Sequence, residues 1–161
     1  MSNVKYFASD ARLSGKENPY VKFYSIREAL GIGIDLDMDF LEGIDQDEPG
    51  VIAWCDSEEH FEFPNIWICE PYDEAPKSEK KHYAEIGGNP LMDLPGILAY
   101  IWQHMEDHPD VTELELWDVW LGNDKQELAE VTCPLKDLTE KVLEGVFDEE
   151  KTVDVKLTIV R

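Results

Sequence analysis

In the stretch GIGIDLDMDF, residues 31–40, three aspartates (Asp35, Asp37 and Asp39) alternate with Ile34, Leu36, Met38 and Phe40. Carboxylates this dense could ligate a cation, work as an acid–base pair, or show negative charge to a partner. A calcium loop of the EF-hand kind needs glycine at its sixth position and glutamate at its twelfth. Counted from Asp35, those positions hold Phe40 and Gln46. An acid–base pair needs surroundings that drive two carboxyl pKa values apart, and three aspartates in one repeating context offer no such contrast. The pattern predicts a half-buried strand, apolar side inward and acidic side outward, with successive carboxylates ~6.6 Å apart. At a sheet edge these charges would also discourage pairing with another chain. Glu42, Asp45, Asp47 and Glu48 continue the run, and Glu58, Glu59 and Glu62 extend it. Such a ridge would attract and orient a basic surface.

His104 and His108, in HMEDH, are spaced to share one helix face. The HExxH zinc motif needs glutamate directly after the first histidine, where this chain has Met105. The inverted HxxEH form would need Asp107 to replace glutamate. Structural histidines are therefore expected. Cys55, Cys69 and Cys133 are isolated and odd in number, forming neither a CxxC pair nor a disulfide framework. They are expected to be reduced, Cys55 and Cys69 in the core. Cys133 precedes Pro134 near a helix start, but no companion Cys or His lies nearby. No dinucleotide fingerprint, P-loop or nucleophile elbow is present. The expectation is no catalytic residue, no metal and no cofactor.

The 161 residues include 36 acidic and 14 basic ones, for a formal charge of −22. That exceeds the roughly 2–8 charges that suit a small domain for solubility alone. Residues 28–76 hold fifteen acids and neither Lys nor Arg, and residues 82–124 hold nine acids and again no base. Salt adaptation would spread the acid more evenly. DNA, RNA and anionic membranes are disfavoured as partners, because binding them needs a basic patch. A basic protein partner is favoured. Trp117 shares a predicted strand face with Glu113 and Glu115, so Trp117 or Tyr72 could anchor an interface inside an acidic rim. The competing expectation is a Trp117 packed under a helix.

The elements that must position these groups are short. NVKYFAS, YVKFY, GVIAWCDS, FPNIWICE and KHYAEIGG read as strands. Ser25 and Glu28 make a capping box for a helix in SIREAL. A longer helix is predicted over Leu94–His108, capped by Asp93 and ended at Pro109. TELELWDVWLG and QELAEVTC, separated by GNDK, read as a hairpin. A second amphipathic helix is predicted through PLKDLTEKVLEGVF, and TVDVKLTIV as a last strand. EPYDEAPKSEKK reads as an exposed loop. Together these predict one α+β domain over residues 1–161, a mostly antiparallel sheet packed against two main helices. No run approaches the ~18 apolar residues of a membrane span, and MSNVKYFASD lacks a signal-peptide core, so a cytosolic location is expected.

The leading functional expectation is a non-enzymatic acidic inhibitor, most concretely an immunity protein occluding the active site of a basic, nuclease-type toxin. One alternative is a nucleic-acid mimic blocking a DNA-binding or restriction protein. Another is a metal-dependent hydrolase using His104, His108 and acids assembled by folding. A salt-adapted domain of unremarkable role is the fourth.

Overall fold

A computed structural model describes residues 3–71, 73, 78–122 and 127–161. In chain order its elements are β1 (Asn3–Ser9), β2 (Lys22–Tyr24), α1 (Ile26–Gly31), β3 (Ile52–Trp54), α2 (Glu58–Phe61), β4 (Asn65–Cys69), β5 (His82–Gly87), α3 (Leu94–Asp107), β6 (Glu113–Trp120), β7 (Leu128–Pro134), α4 (Glu140–Val146) and β8 (Asp154–Val160). The architecture is α+β, as the patterning predicts. The chain forms two compact units, Met1–Glu17 with Phe63–Arg161, and Asn18–Glu62.

The larger unit is a six-stranded sheet in the order β4-β5-β1-β6-β8-β7. Every neighbouring pair is antiparallel except β7–β8. β6, flanked on both sides, is buried along almost its whole length. One sheet face carries Phe7, Leu114, Leu116, Leu157 and Ile159, packed with Ile97, Ile101 and Met105 of α3 and Leu143 and Val146 of α4. The other face holds a smaller cluster of Val4, Tyr6, Ala8, Tyr83, Trp117 and Val119.

α3 begins where the sequence says it should: the Asp93 carboxylate accepts from the Gly96 N–H at 3.0 Å, and Pro95 sits in the first turn. At its other end the Arg161 guanidinium donates to the Met105 and His108 carbonyls, placing a cation at the negative end of the helix dipole. No helix of the described residues is long and apolar enough to cross a membrane.

Two expectations for this unit need correction. β6 and β7 do not form a hairpin, because β8 lies between them and β7 runs parallel to β8. A parallel pair needs a crossover, and α4 supplies it. The second predicted helix is also shorter than its apolar spacing suggests. Leu135–Asp137 form a 3-10 turn, and Thr139 then caps α4 by accepting from the Val142 N–H at 3.4 Å. A threonine hydroxyl offers the backbone a helix start in the middle of the pattern.

The smaller unit contains the β2–β3 ribbon, α1, a 3-10 helix at Met38–Leu41 and α2. The capping box at α1 is present in both halves: Ser25 Oγ accepts from the Glu28 N–H at 3.2 Å, and Glu28 Oε2 accepts from the Ser25 N–H at 2.8 Å.

Candidate functional site

The sharpest correction falls on residues 34–48. GIGIDLDMDF is not a strand: Ile34–Asp37 is irregular, and Met38–Leu41 is a 3-10 helix. Local turn chemistry wins over the alternating pattern. Gly33 and Gly43 both take φ +85°, outside the range of a regular strand and a conformation that glycine adopts readily. Asp37 Oδ1 accepts from the Asp39 N–H at 3.2 Å, and Asp45 Oδ1 accepts from the Asp47 N–H at 3.0 Å. Such side-chain-to-backbone bonds compete directly with a sheet ladder.

Asp35, Asp37, Asp39, Glu42, Asp45, Asp47 and Glu48 are nonetheless all exposed, as are Glu58 and Glu59 in the first turn of α2 and Glu62 just after it. The carboxylates face solvent without the regular spacing of a strand. Asp47 is already engaged: both its oxygens accept from the Arg27 guanidinium, at 2.6 and 3.0 Å. That bond holds the Asp47 carboxyl below its ordinary range and raises Arg27. Over Asn18–Glu62 there are twelve acids and two bases, Lys22 and Arg27, a net −10 on 45 residues.

The apolar residues of the same unit do not all turn inward. Ile34 is buried, but Met38 and Phe40 point to solvent, and Phe40 is 85% exposed. Tyr20, Phe23, Leu30, Ile32, Ile44, Trp54 and Phe61 are exposed as well. In all, nine of the fourteen exposed large hydrophobic side chains among the described residues fall within Asn18–Glu62. The Tyr20 and His60 rings stack at 4.2 Å, 9° from parallel, and the Asn18 amide donates to the His60 carbonyl at 2.7 Å. Sequence reasoning placed Phe40 on an inward strand face. The signal against that assignment was local: glycines at 33 and 43, and aspartates two residues before the N–H groups they cap.

The two aromatics expected as anchors fare differently. Tyr72 lies outside the described residues. Trp117 is 3% exposed, so it is not a surface anchor. Its ring stacks on Tyr6 at 5.7 Å, its indole N–H donates to Glu115 at 2.9 Å, and Lys156 Nζ sits 5.1 Å from the ring centroid. Lys156 also lies 3.5 Å from both Glu115 and Glu130. The charge beside Trp117 is thus internal structure rather than an open acidic rim.

His104 is 5% exposed and its Nε2 lies 2.8 Å from Ser9 Oγ. Burial, and then the neighbouring His108, push its pKa down to about 4. The two imidazole rings are 4.8 Å apart. Ser9 is fully buried and its hydroxyl also accepts from the Ala11 N–H at 3.2 Å. This Ser–His pair ties β1 to α3. Among the described residues no group of three or more His, Cys, Asp or Glu is placed to hold a metal ion. Cys55 and Cys133 are buried, Cys69 is half-buried, and all three thiols are free. Burial raises each of their pKa values, the opposite of what an activated thiol needs.

No family model matches the chain, and no curated protein or solved structure matches it significantly.

Proposed function

We propose that this is a non-catalytic, acidic binding protein that neutralises a basic protein, in its most concrete form an immunity protein occluding the active site of a nucleic-acid-cleaving toxin. One observation carries the reading: in Asn18–Glu62 twelve acids against two bases coincide with nine outward-facing large apolar side chains. Surface carboxylates raise the encounter rate with a basic partner through long-range attraction. Desolvated apolar side chains then supply most of the lasting affinity. Either feature alone is common; here both fall within one stretch of 45 residues. The exposed apolar groups favour a partner that also buries apolar surface over the nucleic-acid-mimic reading, since phosphate mimicry calls only for carboxylates.

Capture on the immobilised protein at low salt, followed by mass spectrometry, should return one basic protein. That protein should bind with one-to-one stoichiometry, lose its activity in the complex, and associate more slowly as salt is added. If Asp35→Asn/Asp37→Asn/Asp39→Asn leaves the association rate and its salt dependence unchanged, charge steering by this loop is wrong. Capture of several DNA-handling proteins, with duplex DNA competing, would favour the mimic instead.

A further inference from the structure

We infer that Phe40 is the central anchor of this binding surface, and that its occupant is a folded basic protein with an apolar pocket rimmed by lysine or arginine. The inference rests on the function proposed above and adds to it a division of labour between carboxylates and one aromatic ring. Phe40 is the most exposed large apolar side chain among the described residues. It does not hang from an unstructured tip. The Met38–Leu41 3-10 helix carries it, Asp37 caps that helix, and the positive-φ glycines 33 and 43 stand on either side. Ile34 is buried and Leu36 and Leu41 are half-buried, so these three hold the segment while Phe40, with Met38 beside it, turns out. The cap and the helix already order the backbone beneath the ring, so covering it costs chiefly the ring's own rotamer freedom.

The surroundings select the occupant. Asp37, Asp39 and Glu42 are all exposed within three residues of Phe40. A second copy of the chain would bring like charge against like charge. Nucleic acid and an anionic membrane leaflet would be repelled for the same reason. A pocket with a cationic rim satisfies both the ring and the carboxylates around it.

The test places a photo-reactive benzoylphenylalanine at position 40 of the full chain in the source cells, with the same probe at Trp67, an exposed residue of β4, as comparator. Irradiation should give one adduct from position 40, to a protein segment rich in lysine or arginine, and none from position 67. An adduct to a second copy or to an acidic protein, or no adduct from position 40, overturns the inference. With the adducted protein purified, Phe40→Ala should speed dissociation about 30-fold while leaving association nearly unchanged. Asp37→Asn/Asp39→Asn should slow association and flatten its salt dependence with little effect on dissociation. If Phe40→Ala leaves dissociation unchanged while the double variant still slows association, the anchor is wrong and charge-steered binding stands. If neither variant changes anything, both readings fall. Circular dichroism of each variant separates these outcomes from unfolding.

Discussion

In the sheet unit, Lys151 Nζ reaches Asp118 at 2.6 Å with both side chains almost dry, and Lys80 bridges Asp10 and Glu113 at 3.0 and 2.6 Å. In Asn18–Glu62, twelve acids face two bases, and among the described residues only Asp47 is ion-paired. The hydrophobic groups follow the same division. Phe7 and Phe147 of the sheet unit are buried, whereas Phe23, Phe40 and Phe61 of the smaller unit are exposed. The sheet unit turns several of its charges and most of its large rings inward, to fix a fold, although Trp67 and Trp102 stay exposed. The other leaves most of its carboxylates and nine large apolar side chains facing outward, where they contribute little to folding. The contrast is measurable, because equivalent substitutions should affect stability in one unit and not in the other.

The largest effect should come from Lys151→Met. Asp118 is 1% exposed, and one of its oxygens has no hydrogen-bond partner. Lys151 also donates to the Val146 carbonyl at the end of α4. Removing the ammonium strands a buried carboxylate, and the expected loss is ~3–5 kcal/mol by urea denaturation. Lys151→Met/Asp118→Leu should regain most of it, since apolar replacement of a whole buried pair is often neutral. A loss no larger than that of an exposed ion pair would break the comparison.

His104 should produce the next largest effect, as a function of pH. The folded state keeps it neutral down to about 4, while the unfolded chain protonates it from ~6.5. Between those values the unfolded state binds more protons, so stability is complete above the unfolded pKa and falls as pH drops toward 4. The loss is on the order of 3 kcal/mol. Asp154 opposes this at the acid end: burial raises its pKa, so the folded state takes up that proton first. His104→Gln keeps a polar partner for Ser9 and should flatten the slope of urea midpoint against pH. A slope unchanged in that variant would assign the acid sensitivity to other groups.

Legibility in the sequence crosses that boundary: β2, β3 and the capped α1 of the smaller unit were readable, as were most elements of the sheet unit. In the sheet unit, periodicity and caps located β1, β4, β5, β6, β8 and α3, because burial on a regular element leaves a regular pattern. What escaped was the pairing of β7 with β8, since strand order depends on contacts distant in sequence. In the smaller unit the acidic run was legible as an exposed surface, but its conformation was not. Three alternations of Asp with an apolar residue resemble a strand, yet a few hydrogen bonds from aspartate side chains and two glycine φ angles decide otherwise. In sequence the unit lies between β1 and β4 without a linker, and the stretch lacking Lys and Arg, residues 28–76, matches neither of its ends. Of the two expectations for Trp117, burial is the one observed, with Glu115 two residues before it as its buried partner rather than part of a rim.

The smallest stability effect is expected where the effect on binding should be greatest. Asp35, Asp37, Asp39 and Phe40 are exposed, and asparagine caps a helix start about as well as aspartate. Asp35→Asn/Asp37→Asn/Asp39→Asn, and separately Phe40→Ala, should therefore leave the unfolding free energy within ~0.5 kcal/mol of the parent chain. Relief of repulsion in a unit of net −10 should tilt the triple variant toward greater stability at low salt, a tilt that added salt removes. A marked loss of stability in Phe40→Ala would mean that the ring packs within the protein in solution. The smaller unit would then resemble the sheet unit after all, and the outward ring would need no partner to explain it.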